Sequence, residues 1–458
     1  MKRALLACIL LAAALAAPAA HAGAFDRLER GPMPRLAPPP VHTEVLPNGV
    51  RLFVLEDRAL PMVQMVLITR GGRVHDPQDK AGLGELAGML LRSGGAGGMG
   101  PEEFDEKVDA LGVALSSSVG SETGEFGLMV LSEDLKEGLS LLFDMVLRPG
   151  LDEKRLSVAR GKIEEGLRRE NDDPGTVAAR RFRAMVYGKD SPWARRPTKR
   201  SLSKIGVADI RGFLDRYMRT GNMIIAASGD FDKKEFISMI REMTEGAPAG
   251  EAELPGVEEV ELAFEPEEET VARQLTQSFI RMGHLGIRRH NPDAYALRLM
   301  SEIFGAGAFK SRLMEDIRTV RGMAYSIWGD LTEGTDYGLF VIGVNTKADD
   351  TPEVIDLIRG HVKRLAVDGD VTDEELDFAR RSVLSGLIFN FDRPIKVALS
   401  RAHYHLYGYP DDYWRVFTEG ISGVTRQDVK EVAGRYIHPD GLKVVVVGPK
   451  GKGKGKER

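Results

Sequence analysis

Short apolar alternations and longer helical stripes succeed one another along most of this chain. Residues 50–55 and 62–69 read as strands. Pro47-Asn48-Gly49 turns the chain before the first, and Pro61 breaks it between the two. A helical stripe passes through Leu83, Leu86, Met89 and Leu90. Pro101-Glu102-Glu103 opens another helix, because proline suits the first helical position and acids suit the positive end of the dipole. Strands are expected over 113–119 and 124–131. Ser132-Glu133-Asp134 then leads into a helix whose Leu135, Leu139, Leu142, Phe143 and Val146 share one face. Long helices over 152–170 and 174–187, and a strand over 222–228, complete the first half.

The second half repeats this order. Ala159, Arg160, Gly166, Leu167 and Pro174 line up with Ala379, Arg380, Gly386, Leu387 and Pro394. Tyr187, Trp193, Tyr217 and Gly229 line up with Tyr407, Trp414, Tyr436 and Gly448. A near-constant offset over this length predicts an α+β fold of two homologous domains. Each is expected to be a mostly antiparallel sheet covered by helices, of about 200 residues, a normal domain size. The expected boundaries are 43–246 for the first domain, 247–258 for a Glu-, Pro- and Ala-rich linker, and 259–449 for the second domain. One short strand is expected over 258–264.

The ends read differently. Lys2 and Arg3, the apolar run 4–17 and Ala20-His21-Ala22 predict a cleavable signal peptide over 1–22, hence a periplasmic or secreted protein. The apolar run is shorter than the roughly 20 residues a spanning helix needs, so no membrane span is expected. Residues 23–42 form a Pro- and Arg-rich arm, and 450–458 a basic disordered tail. Cys8 is the only cysteine and is expected to leave with the leader, which removes disulfide and thiolate chemistry from the mature chain. The net charge of −5 argues against a nucleic-acid partner. None of the nine histidines forms an i, i+4 pair. His403 and His405, two apart on a helix, are expected to be one packed and one exposed.

Leu46-Pro47-Asn48-Gly49, Pro61, Gly71-Gly72, Asp76-Pro77, Gly82-Leu83 and Met89-Leu90-Leu91 resemble the start of insulinase/pitrilysin-family zinc peptidases. The resemblance implies the duplicated domains arranged as a clamshell. In active members the helix after Gly-Leu carries His-x-x-Glu-His, two zinc ligands on one face with a general-base glutamate beside the second. Here the histidine positions hold Glu85 and Met89, and the base position holds Gly88. The downstream glutamate ligand falls at Gly166 when Asp172-Asp173-Pro174 sets the register. The resemblance therefore implies no metal site, no catalytic residue and no cofactor in this chain.

The run 304–327, with its Gly-rich turn, Ser311-Arg312-Leu313, Arg318 and Arg321-Gly322-Met323-Ala324-Tyr325, is similar to the family's C-domain block. There, an arginine and a tyrosine seven apart bind substrate backbone and the developing oxyanion. The matching residues are Arg318 and Tyr325. The implied protein is the non-zinc subunit of a heterodimeric bacterial metallopeptidase. It would be inactive alone, bind unfolded peptide, and stabilise the transition state at the zinc of an insulinase-like partner subunit. The competing reading is a non-enzymatic peptide-binding or scaffold protein of the same descent, which has no physical need for both Arg318 and Tyr325.

Overall fold

Two buried runs of small and β-branched residues form interior strands of two sheets. In the computed structural model, which describes residues 37–449, the first sheet is built from β1 (His42–Val45), β2 (Arg51–Glu56), β3 (Met62–Arg70), β4 (Ala114–Val119), β5 (Thr123–Leu131) and β6 (Met223–Gly229). The strand order is β1-β2-β6-β3-β5-β4. The strands β7 (Glu267–Ala272), β8 (Gln277–Leu285), β10 (Ala324–Leu331), β12 (Leu339–Lys347) and β13 (Lys443–Gly448) form the second, in the order β10-β12-β8-β13-β7. The two-residue strands β9 (Ile287–Arg288) and β11 (Glu333–Gly334) pair with each other beside it. The duplication read from the offsets is visible strand by strand. β6 runs parallel to β2 and antiparallel to β3, as β13 runs parallel to β7 and antiparallel to β8.

Alternation sets one face of each sheet. On β3 and β5, Val63 faces Val130, Met65 faces Leu128 and Leu67 faces Phe126, and all six are buried. They pack under α1 (Leu83–Ser93) through Leu86 and Leu90, and under the helix Leu135–Leu147 through Leu139 and Leu142. The corresponding core of the second half joins Ile280, Met282, Ile342 and Val344 to Leu297, Met300, Phe304 and Ile358.

The opposite face of each sheet is covered by a helix from the other half. α2 (Glu153–Arg169) stays with its own half, but the next helix, α3 (Pro174–Tyr187), crosses over. Its Val177, Ala178, Phe182 and Val186 pack against Val445 and Val447 of β13 and Leu285 of β8. The first helix of the second half is α4 (Ala294–Ser301). Its long helix α5 (Asp373–Gly386) stays at home and α6 (Pro394–Leu406) returns the exchange. Ala398, Ala402 and Leu406 lie against Phe53, Ile68, Ile224 and Ala226. Burial on both faces explains why β6 and β13 are continuous apolar runs rather than alternations.

The stretch expected to be a strand over 258–264 is not one. Its carboxylate-rich sequence runs without regular structure, and the strand forms later, at β7. Phe264 instead stacks on His438 and meets the ring of His284, while the Val260 amide donates to Asp336 at 2.6 Å. His403 and His405 do not divide into packed and exposed. Both are half-buried because α6 is held between the two halves, and burial lowers both imidazole pKa values. The signal peptide expected over 1–22, residues 23–36 of the arm and the tail at 450–458 lie outside the described residues. Among the described residues no helix is long and apolar enough to cross a membrane.

Candidate functional site

The segment leading into α1 is fixed by one buried acid. Asp76 accepts hydrogen bonds from the Gly82 and Gly84 amides at 2.9 and 3.0 Å, occupying donors that the first turn leaves free. Burial pushes its carboxyl pKa up to about 6, against the lowering effect of those bonds. Gly82, at φ +103°, makes the left-handed turn into the helix.

The helix then lies unusually close to the edge strand β4. A Cβ on Gly88 would stand 2.8 Å from the Val119 amide nitrogen and 3.1 Å from the Ser118 carbonyl carbon. Ser117 Oγ donates to the Gly88 carbonyl at 2.8 Å, tying strand to helix at the same point. Met89 packs half-buried against the first core, and Glu85 sits 3.9 Å from Arg73 in a partly exposed pair. On α2, Gly166 faces open space, and the adjacent Glu165 is held well below the usual carboxylate range by Arg169 and Arg168. These residues do not fit a zinc ion. The base position has no room for a side chain, and the histidine positions hold a thioether, Met89, and a carboxylate, Glu85, already paired with Arg73. Among the described residues no group of three or more His, Cys, Asp or Glu is arranged to hold a metal.

The second half makes a similar close approach, but leaves its edge open. A π-helical turn, Glu302–Ala306, brings Gly305 to where a Cβ would meet Gly329 N of β10 at 2.4 Å. A second π-helical segment, Met314–Val320, carries Arg318. Such turns widen a helix and are frequent at functional sites. Gly322 ends this segment. It adopts φ +65°, and its amide caps the Arg318 carbonyl at 3.1 Å. The Arg318 guanidinium lies 5.4 Å from the Phe309 ring and 3.6 Å from Met314 Sδ, with no acid partner among the described residues. Tyr325 sits in a bulge between Ala324 and Ser326 on β10, an edge strand, and is 77 % exposed. The bulge aims it away from both the core and the ladder. Local sequence could suggest the helix stop; the π-turns and the bulge leave no pattern that periodicity detects.

A separate cavity of about 430 Å³ lies at the seam of the two halves, between His75, Glu122, Trp193, Leu254, Arg288 and Tyr407. Neither Arg318 nor Tyr325 lines it.

Residues 204–383 match the family model described as the peptidase M16 inactive domain. A protein of Streptomyces coelicolor, named as an uncharacterised zinc protease, is 24% identical over 348 residues, spanning 73% of this chain and 74% of its own. The protein of Helicobacter pylori named non-peptidase homolog YmxG is 22% identical over 419 residues, 90% of this chain and 95% of its own. Among solved structures, a peptidase M16 inactive domain from Pseudomonas fluorescens superposes with TM-score 0.80 at 23% identity, covering 90% of this chain and 98% of that one. The periplasmic protease PqqL of Escherichia coli superposes with TM-score 0.75 at 15% identity, covering 92% of this chain and 47% of its own. The duplicated α+β fold of the solved structures is thus shared almost end to end, and residues 204–383 of this chain match the peptidase M16 inactive domain.

Proposed function

We propose that this chain is the non-zinc subunit of a periplasmic heterodimeric metallopeptidase, gripping peptide with Arg318 and Tyr325 at the zinc site of an M16 partner. The single observation that carries this reading is the contrast between the two edges. The base position at Gly88 is packed shut against β4, while Tyr325 stands open on β10 and Arg318, on the π-helical segment before it, has no acid partner among the described residues. A fold kept only as a scaffold gains nothing from both an arginine without an acid partner and an exposed phenol. Bond cleavage would draw its metal chemistry from the partner. The residues here would hold the substrate carbonyl, with the guanidinium and the phenolic O–H donating to the oxygen as negative charge develops on it. The expected signal peptide and the structural neighbour PqqL, a periplasmic protease of Escherichia coli, support the compartment.

The alternative, a non-enzymatic peptide-binding or scaffold protein, is favoured by the non-peptidase name of the Helicobacter pylori relative. Peptide hydrolysis by the chain reconstituted with its zinc-bearing partner separates the two. Tyr325→Phe is expected to lower turnover about 10²–10³-fold, the usual effect of deleting one oxyanion donor. Complex formation, followed by size-exclusion chromatography, should be unchanged. Full activity of Tyr325→Phe in an intact complex would put the scaffold reading ahead.

A further inference from the structure

Gly71 and Gly72 let the turn between β4 and β5 close on the end of β3. A Cβ on Gly71, at φ +104°, would overlap the Tyr217 ring, and one on Gly72 would stand 2.5 Å from the Ser121 carbonyl oxygen. The Gly71, Arg73 and Val74 amides donate to the Glu122, Gly120 and Ser121 carbonyls, each at 3.0 Å. These bonds hold Arg70 and Glu122 on neighbouring segments, about 5 Å apart at the backbone. Both residues line the 430 Å³ cavity at the seam.

The charges around this cavity divide into a paired and an unpaired set. Arg288 is neutralised by Asp336 at 2.9 Å and by Glu259 at 3.1 Å. Arg70 donates to the Leu406 carbonyl at 3.2 Å, at the C-terminal end of α6, and has no acid partner among the described residues. Glu122 is half-buried and has no cationic partner among them. Its neighbour His75 does not supply one, because burial lowers the imidazole pKa from 6.5 and leaves the ring neutral near pH 7. Partial burial of a carboxylate without a cation is unfavourable, and the Arg70 guanidinium keeps further donors to offer.

The rest of the wall is mostly apolar, and the linker supplies part of it. Between 247 and 258 the linker has only two branched aliphatic side chains, Leu254 and Val257. Both line the cavity, with Val74, Trp193, Leu406 and Tyr407. Leu254 remains 41 % exposed, an aliphatic surface that a ligand in the cavity would cover.

Opposite charges one strand spacing apart, beside apolar walls, suit a ligand with an amine at one end, a carboxylate at the other and apolar side chains between. An internal stretch of peptide has neither charge. A longer free peptide holds its ends too far apart, since each extended residue adds about 3.3 Å. A volume of about 430 Å³ is in the range of small-molecule sites. We infer that the seam cavity binds a dipeptide with free termini and apolar side chains, its carboxylate on Arg70, its amine on Glu122 and its side chains against Val74, Trp193, Leu254 and Val257. The site is separate from Arg318 and Tyr325 and does not depend on the gripping role. Its walls come from both halves and the linker, so an occupied site holds the linker in place.

The test is calorimetric titration of the full chain with the dipeptide Leu-Phe. Leu-Phe is expected to bind, with acetyl-Leu-Phe and Leu-Phe-amide each at least tenfold weaker. Phenylalanine should also be weaker, because it covers less of the wall. Glu122→Gln should bind Leu-Phe and acetyl-Leu-Phe alike, and Arg70→Gln should bind Leu-Phe and Leu-Phe-amide alike. Leu254→Ser should weaken Leu-Phe severalfold with an unchanged melting curve. Saturating Leu-Phe should slow cleavage of the linker by a glutamate-specific protease at Glu251, Glu253 and Glu258. No binding of Leu-Phe at millimolar concentration overturns the site, as does equal binding of the blocked peptides to the parent. End preferences that survive both glutamine variants would put the peptide elsewhere and overturn it too. Phenylalanine binding as tightly as Leu-Phe would overturn the dipeptide. If a glutamine variant does not fold, the blocked peptides and Leu254→Ser decide. Turnover with the zinc-bearing partner, which tests Arg318 and Tyr325, is read separately from all of these.

Discussion

A Cβ on Gly88 would stand 2.8 Å from the amide nitrogen of Val119, so the residue that would carry a general base lies where the helix touches the edge strand. Gly88→Ala gains helix propensity of about 1 kcal/mol but must push strand from helix, and overpacking of this kind costs about 1–3 kcal/mol. Net destabilisation is expected, read by urea unfolding. Restoring the whole motif, as Glu85→His, Gly88→Glu and Met89→His together, is expected to lower stability further and to hold less than one zinc per chain after dialysis. A well-folded triple variant with one tightly bound zinc would overturn the steric account.

Exchange of α3 and α6 makes each sheet depend on the other half of the chain. The linker over 247–258 has no regular structure and is mostly exposed, so limited proteolysis should cut there first. The two fragments are expected to elute together at the size of the intact chain. Each half expressed alone should be insoluble, because it lacks the helix that covers its sheet. Fragments that separate readily after the cut would contradict this.

Phe182 measures the strength of that exchange. It belongs to the first half by sequence, yet is buried with Val445 and Val447 of the second. Phe182→Ala is expected to cost about 3–5 kcal/mol, as for a buried ring truncated to leave a cavity. If the loss fell below 1 kcal/mol in denaturant titration, α3 would not be holding the second sheet.

His284 should leave a mark on the pH dependence of stability. Its Nδ1–H donates to the Leu285 carbonyl at 2.7 Å, and its Nε2 accepts from the His438 amide at 3.2 Å, so the neutral ring is fully used. Burial lowers its pKa from 6.5 to about 4. Between those values the unfolded chain takes up a proton that the folded chain refuses. This contribution is therefore present above pH 6.5 and lost as pH falls toward 4. Asp76, raised from 3.8 to about 6, acts in the opposite sense, its contribution being lost as pH rises through that window. Urea midpoints of His284→Phe are expected to fall less between pH 6.5 and 5 than those of the parent. An unchanged slope would mean that His284 is not the titrating group.

Much of this was legible beforehand. The helices at 153–169 and 174–187 lie within a residue or two of where Asp152 and Pro174 place their starts, because capping and proline chemistry are local. The strands fall where alternation or apolar runs put them. The strand expected over 258–264 failed because the run's alternation had no sheet edge to join; the chain reaches β13 only at 267. The positions Glu85, Gly88, Met89, Gly166, Arg318 and Tyr325 could all be named from motif register, without any statement of what surrounds them.

Sequence alone determined the duplication and the order of elements, since these depend on spacing along the chain and on side-chain chemistry. Only the tertiary structure decided that α3 and α6 trade sheets, that Gly88 is sealed against Val119, and that Tyr325 stands exposed in a bulge on an edge strand. Those facts rest on which distant segments meet, for Phe182 and Val445 more than 260 residues apart. No local propensity or periodicity encodes such a meeting; the burial of two apolar sheet faces, each needing a cover, decides it.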